Sequence, residues 1–420
     1  MNQPVLTNPQ PRTPIGATVL GYPRIGRQRE LKKALERLWG AQAADSPDVL
    51  AQATALERTA AAVRSDALDA MEAAGLDTVP VNTFSWYDQV LDTAVLVGAV
   101  PERFRSVSST LRVAGFDAAR YFAMARGTAK ITPLEMTKWF DTNYHYLVPE
   151  IDATTPFVLD AAKPLTEYNE AIKRDLDARP VVVGPWTFLR LAKMAEGAPV
   201  GFSPLDRLEE LTEVYAELLS TLADAGVPWV QLDEPAAVRD LTSGEAAELE
   251  RVYARLSAVE KRPAILVATY FAAPVEALPG LCRTGVEAIS LDLTRGVDLE
   301  EVAGTPGLLD KALVLGAVNG RNIWRTDLSS ALVLLEEWEG IASSLSVSTS
   351  CSLLHVPYDV DAEPSLDPRL KGILAFAVQK LDEVVALQRA LARERLTGEG
   401  QHGAHRVRPL RRHHRAAEHP

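Results

Sequence analysis

Three stretches of this sequence combine residue types and spacings that can do chemistry. The first is "GYPRIGRQRELKKALERLWG" (21–40), which sets Arg24, Arg27, Arg29, Lys32 and Lys33 against Glu30 at the start of a helical pattern with Leu31, Leu35 and Leu38 as its apolar stripe. The positive end of a helix dipole disfavours cations in the first turn. A cluster there reads either as a solvated face or as an anion site, where side-chain cations join backbone N–H donors. Arg29 and Lys32 or Lys33, three or four residues apart, share one face. The second is "QLDEP" (231–235), whose adjacent carboxylates Asp233 and Glu234 suit either acid–base work or structural ion pairing. The third is "ITPLEMTKWFDTNYHYLVPE" (131–150). Lys138 is a flexible cation able to meet a carboxylate, and the surrounding aromatics can line a flat-ring pocket. Thr132, Pro133 and Glu135 make a capping-box pattern that predicts an amphipathic helix with Met136 and Phe140 facing a core. Cys351 and His355 are spaced as a nucleophile and base, although a buried Cys is more often inert packing.

The elements that must position these groups are short and Val-rich. Strand-like runs fall at 17–21, 78–82, 180–184, 227–233, 264–269, 287–292, 312–318 and 345–350. Continuous apolar runs of this kind belong to parallel strands buried on both faces. Helical patterns lie between them, such as 204–226 with Leu208, Leu211, Val214, Leu218 and Leu222. The fold expected is α/β, a (β/α)8 TIM-type barrel, with a doubly wound sheet as the alternative. Long insertions after the first two runs, 22–77 and 83–179, belong at the functional end. There the strand ends carry Arg24, Asn82, Asp233, Tyr270, Asp292, Asn319 and Ser352. One more helix is expected over 370–396. Residues 1–14 read as a disordered lead-in, 15–396 as the barrel, and 397–420 as a disordered tail holding five of the seven histidines.

Composition narrows the function further. A net charge of −12 argues against a general nucleic-acid binder, and a local basic cluster on an acidic chain fits a defined small anion. Two cysteines make neither a disulfide framework nor a thiolate-rich zinc site, which fits a reducing cytoplasm. No membrane anchor is expected. There is no Gly-rich phosphate loop, G-x-S-x-G or H-E-x-x-H motif.

In order along the chain stand "GYPRIGRQRELKKALERLWG", "VNTFSWYDQVLDTAVLVGAV", "YFAMARG", "EMTKWFDTNYHYLVPEI", "WVQLDEPA", "ATYF", "GRNIWRTDL" and "VSTSCSLLHVPYD". From about residue 15 to 395 the chain resembles the amino-terminal half of cobalamin-independent methionine synthases, the 5-methyltetrahydropteroyltriglutamate–homocysteine methyltransferases. The resemblance implies two barrels facing each other across their strand ends. In the family the second holds zinc, which activates homocysteine thiolate for attack on the folate methyl, and the first helps bind the polyglutamylated folate. The family's folate contacts fall here on Arg29, Glu30, Leu31, Lys32 and Lys138. It implies no catalytic residue, metal or cofactor within this chain, methionine biosynthesis as the setting, and a zinc-binding barrel as partner in methyl transfer. Asn319 stands where the family commonly shows Asp, and Trp186 and Arg190 replace smaller or apolar residues. "STSCSLLH" has the look of a remnant strand-end ligand position. Two other readings fit the same residues: a stand-alone folylpolyglutamate-binding module, and a decayed inactive fragment.

Overall fold

The computed structural model describes residues 15–44, 46–107, 111–113 and 116–399, with side chains as far as 393. Seven parallel strands form one curled sheet in chain order: β1 (Val79–Val81), β2 (Ala178–Val183), β3 (Trp229–Asp233), β4 (Ala264–Ala268), β5 (Ala288–Asp292), β6 (Ala312–Val318) and β7 (Ser344–Thr349). Each matches an expected run to within two residues at either end, because burial on both faces writes a strand as an uninterrupted apolar run. The helix Leu208–Asp224 buries the expected Leu208, Leu211, Val214, Leu218 and Leu222 against the sheet.

The first expected strand behaves differently. Residues 17–21 form no regular strand and bend at Ala17 and Leu20, yet they occupy the gap between β7 and β1. Thr18 N–H donates to Val347 O (3.0 Å), and Asp77 N–H donates to Ala17 O (2.9 Å). Side chains supply the rest of the seam. Ala17 N–H donates to Asp77 Oδ2 (2.7 Å), Gly16 N–H to Ser346 Oγ (2.9 Å), and Thr18 Oγ1 to Thr78 O (2.8 Å). Gly16, at φ +72°, turns the chain into this position. An eighth stave therefore closes the barrel, with side-chain acceptors standing in for part of a ladder.

The two insertions build a second core at the mouth. Helices α1 (Glu30–Ala43) and α2 (Val49–Ala74) pack Leu31, Leu35, Leu38 and Leu56 with Phe84, Trp86, Phe104, Phe122 and Leu147. Two expectations fail. The helix over 131–150 is a β-hairpin, Met136–Lys138 paired with His145–Leu147, and Met136 is exposed rather than core-facing. Its turn is set by Thr142, whose Oγ1 donates to Trp139 O (2.6 Å) and accepts from Tyr144 N–H (3.1 Å). Local side-chain bonds of this kind compete with helix. Glu135 does not cap; its carboxylate meets Lys193 Nζ (2.8 Å). The last helix begins at Ala377, not 370, and runs to Glu399. The residues before it pair with 323–325 instead, through Arg325 N–H to Ile373 O (3.0 Å) and Ala375 N–H to Ile323 O (2.8 Å). The expected lead-in at 1–14 and the tail from 400 lie outside the described residues. Among those described, no helix is long and apolar enough to cross a membrane.

Candidate binding site

The five cations of the opening stretch divide into two sets. Arg24 and Arg27 are committed to structure: Arg24 donates to Tyr144 Oη (3.1 Å) and Ser85 O (3.2 Å), and Arg27 pairs with Asp359 (3.3 Å) beside the Tyr358 ring. Arg29, Lys32 and Lys33 face solvent. Lys32 stands 3.8 Å from Glu36, and neither Arg29 nor Lys33 forms an ion pair among the described residues. The dipole conflict is resolved by chain geometry. Arg29 sits just outside α1 with φ 60°, and Glu30 is the first helical residue. The Glu30 carboxylate turns back to accept Gln28 N–H (2.9 Å), so an acid does occupy the positive end. Leu31 is fully buried, leaving its side chain no surface for a ligand.

Lys138 lies on the exposed face of the hairpin, opposite His145, which is also exposed. No hydrogen bond or ion pair among the described residues joins the hairpin strand of Lys138 to Arg29 or Lys32. The link between the two segments is Arg24, which ties the approach to α1 to the hairpin through Tyr144. Asp141 at the hairpin tip is held by Arg321 Nη1 (2.9 Å) and Arg295 Nη2 (3.3 Å), whose backbones follow β6 and β5. Burial is the largest single influence and raises its carboxyl, but the pairings with Arg321 and Arg295 together hold it below its ordinary value.

Beneath the hairpin, at the carboxyl ends of the strands, lies a cavity of about 170 Å³. Barrel residues Asn82, Asp233, Tyr270 and Ser352 meet Trp86, Asp92, Tyr121, Trp139, Tyr144, Lys163 and His355 from the rest of the mouth. Lys163 Nζ donates to Asn82 Oδ1 (2.8 Å) and Phe84 O (2.6 Å) and pairs with Glu167 (2.9 Å) and Asp92 (3.4 Å). Sequence reading missed this network; its one local signal was the i,i+4 spacing of Lys163 and Glu167. Helix α3 (Gln89–Leu96) is capped by buried Asp88, which accepts from Val90 N–H (2.8 Å) and Leu91 N–H (2.9 Å) and, with its other oxygen, from Leu147 N–H of the hairpin (3.1 Å). Burial pushes the Asp88 carboxyl up to about 7, while those N–H groups pull it down. Asp88→Ala is expected to destabilise the protein by about 2–3 kcal/mol through the lost cap and an unpaired buried N–H, read from the urea midpoint. A change below about 0.5 kcal/mol would contradict this assignment.

The two readings of the paired carboxylates separate in space. Glu234 is fully buried and structural: it accepts from Thr187 N–H (2.7 Å), Trp186 N–H (3.3 Å) and Tyr253 Oη–H (2.8 Å). Gly184 is required beside it, since a Cβ there would lie 2.2 Å from Glu234 Oε1. Asp233 lines the cavity and accepts from Gln231 Nε2–H (2.7 Å) and Tyr270 Oη–H (3.1 Å). Burial raises both carboxyls to about 7, and their hydrogen-bond donors pull each back. Cys351 and His355 are not a nucleophile and base. Burial raises the Cys351 thiol well above its ordinary value, and its Sγ lies near Ser352 O (3.7 Å); burial lowers His355 to about 4, with its ring against Tyr144 and Phe271. No group of three or more His, Cys, Asp or Glu able to hold a metal occurs among the described residues. The atypical residues have local roles. Asn319 Oδ1 accepts from Arg321 N–H (2.8 Å) and Asn322 N–H (3.0 Å), and Arg190 lies over the Trp186 ring and pairs with Glu245 (2.6 Å).

These features define a (β/α)8-type barrel with a small-molecule cavity at its carboxyl end and exposed cations on the adjoining insertions. The family model "Cobalamin-independent synthase, N-terminal domain" matches residues 16–343. The chain is 54% identical over 386 residues to the 5-methyltetrahydropteroyltriglutamate–homocysteine methyltransferase of Mycobacterium bovis, covering 92% of this chain and 48% of that protein. It is 52% identical over 376 residues to the same-named protein of Rhodococcus jostii, covering 89% and 47%. Among solved structures, a B12-independent methionine synthase from a Shewanella species in complex with selenomethionine superposes with a TM-score of 0.62 at 15% identity, covering 92% of this chain and 100% of that one. That likeness supports the barrel fold. The chain belongs to the cobalamin-independent methionine synthase family, matching its amino-terminal domain, and spans about half the length of the curated relatives it matches.

Proposed function

We propose that this barrel holds the 5-methyltetrahydropteroyltriglutamate donor for methyl transfer to homocysteine, gripping the glutamate tail with Arg29, Lys32 and Lys138. Glu30 fixes the start of α1, and Leu31 anchors that turn to the core. The observation that carries this reading is the exposure of Arg29, Lys32 and Lys33 on one turn, with little internal neutralisation, while Arg24 and Arg27 beside them are paired. A tail of several carboxylates is met there by charge-assisted hydrogen bonds. Activation of the homocysteine thiol, by zinc in the family, falls to the half of the relatives that this chain does not span. Methyl transfer then requires a zinc-binding barrel as partner, and this chain alone is inactive. Turnover by this chain alone with zinc, homocysteine and the triglutamate donor would refute that division of labour.

Calorimetry with mono- and triglutamate forms tests the binding. Affinity should rise with glutamate number and fall with added salt, because exposed charges are screened. Each exposed contact is worth about 0.5–1 kcal/mol, so Arg29→Ala with Lys32→Ala should weaken triglutamate binding roughly 5–30-fold and leave the monoglutamate unchanged. Lys138→Ala should act in the same sense. Equal affinity for the two forms would contradict the role given to these cations.

A further inference from the structure

We propose that the strand-end cavity is a second, separate binding site, which takes a small organic cation: an ammonium or amidinium group on a body the size of one ring, with Asp233 as its counter-ion. The argument begins with which charges are already satisfied. The cations that line the cavity are committed to protein partners: Arg24 to Tyr144 and Ser85, Arg64 to Glu170 (2.8 and 2.8 Å), and Lys163 to Asn82, Phe84 and Glu167. They offer little to a carboxylate ligand. Among the lining acids, Asp92 and Glu167 pair with Lys163, and Asp160 sits exposed and accepts Ala162 N–H (3.1 Å).

Asp233 is the exception. It is 8% exposed, lines the cavity and forms no ion pair among the described residues; its hydrogen-bond partners Gln231 and Tyr270 are neutral donors, and the buried Arg179 cation, whose field reaches it, is bonded to Gln231 rather than to Asp233. A buried carboxylate held by neutral donors alone gains most from an incoming cation, because desolvation has already been incurred and the local dielectric is low. The walls add the second requirement. Trp139, Tyr144 and His355 present ring surface, and burial keeps the His355 ring neutral, so that wall adds no charge of its own to those of the paired Arg24, Arg64 and Lys163. Size sets the third. A cavity of about 170 Å³ matches the roughly 150 Å³ apolar cavity known to admit benzene, which is one ring rather than a fused bicycle with a tail.

The probe is benzylamine at mildly alkaline pH, where Asp233 is ionised and the amine is still protonated. Benzyl alcohol and benzoate serve as its neutral and anionic counterparts, and binding is read by calorimetry and tryptophan fluorescence. Benzylamine should bind one per chain and at least roughly tenfold more tightly than benzyl alcohol, with benzoate weaker than either. Asp233→Asn should erase the preference for amine over alcohol while retaining alcohol binding, which reports that the cavity is still formed. Leu354→Trp, which places bulk at the cavity wall, should remove binding of both. If Asp233→Asn fails to fold, the comparison of amine with alcohol on the unaltered chain decides the matter alone. Equal binding of the two, no binding of the amine, or a preference that survives Asp233→Asn would overturn the proposal. Triglutamate affinity should not change in Asp233→Asn, so this site and the surface cations stand or fall separately.

Discussion

Arg179→Ala is expected to destabilise the barrel by about 3–5 kcal/mol, seen as a large fall in the urea midpoint. Its guanidinium is fully buried inside the sheet, with no water to replace lost partners. Nε and Nη2 donate to Gln231 Oε1 (3.0 and 2.9 Å), Nη1 to Thr18 Oγ1 (2.6 Å) and Thr78 Oγ1 (3.1 Å), and Nη2 also to Val19 O (2.8 Å). One side chain therefore ties the closing stave to the flank of β1 and to β3. Burial pushes its pKa down to about 9 and the field of Asp233 opposes that, so it remains a cation at neutral pH. Removing it leaves a cavity and several unpaired acceptors in a low-dielectric interior. Arg179→Lys should fall between, since one ammonium cannot reproduce a planar fork. A loss under about 1 kcal/mol for Arg179→Ala would show that the seam does not depend on this network.

Glu234→Gln is expected to change how stability depends on pH. The ordinary carboxyl value near 4.5 applies to the unfolded chain, whereas burial raises Glu234 to about 7 in the fold, against the hydrogen bonds from Thr187, Tyr253 and Trp186. The folded state thus holds the proton more tightly. The stability this contributes is complete below about pH 4.5 and is lost as pH rises towards 7. The loss runs at about 1.4 kcal/mol for each pH unit between those two values, or about 3 kcal/mol in all. Glutamine cannot titrate, so the variant loses that slope. At about pH 5 it should be less stable than the parent, because its amide cannot accept all three donors; by about pH 8 the gap should narrow by roughly 2–3 kcal/mol. Asp233 shares the direction over a window that opens lower, from 3.8 to about 7, and removing its charged neighbour lowers its own value, which adds to the narrowing. Denaturation curves across this range supply the test. A gap that stays constant, or widens with pH, would mean that Glu234 is ionised in the fold throughout.

Much of the barrel was readable because its strands are buried on both faces. "ALVLGAV" and "AILVA" are written as strands by composition alone, and β6 and β4 fall where those runs fall. The stave at 17–21 was legible as an apolar run, but its regularity was not. The acceptors that replace its ladder, Asp77 and Ser346, lie 60 and 330 residues away. Residues 131–150 misled because Thr132, Pro133 and Glu135 carry a helix-start signal, while the turn at Thr142 and the aromatics on either side of it carry a hairpin signal. The tertiary setting, with Leu147 N–H bound to Asp88, decides for the hairpin. Arg179 was invisible for a related reason. A cation one residue before "PVVVG" looks like a solvated strand flank, and only closure of the cylinder turns it inward. Sequence reading put Asp233 at a strand end, and it lines the cavity there, whereas Arg29 and Lys32 stand exposed on α1 and its approach and do not line it. The sequence had no means of showing that Arg24 would be committed to Tyr144, or Lys163 to Glu167.

The seam also orders events during synthesis. The stave at 17–21 leaves the ribosome early, but its partner Val347 is made some 330 residues later. Until β7 has emerged, the nascent chain is an open sheet with two uncapped edges, and the guanidinium of Arg179 lacks neither Thr18 nor Gln231 but the closed wall that excludes water around them. Contacts of such long sequence separation form late and slowly. A ribosome stalled before residue 344 would carry every strand but one and still display the edge-to-edge adhesiveness that closed barrels avoid.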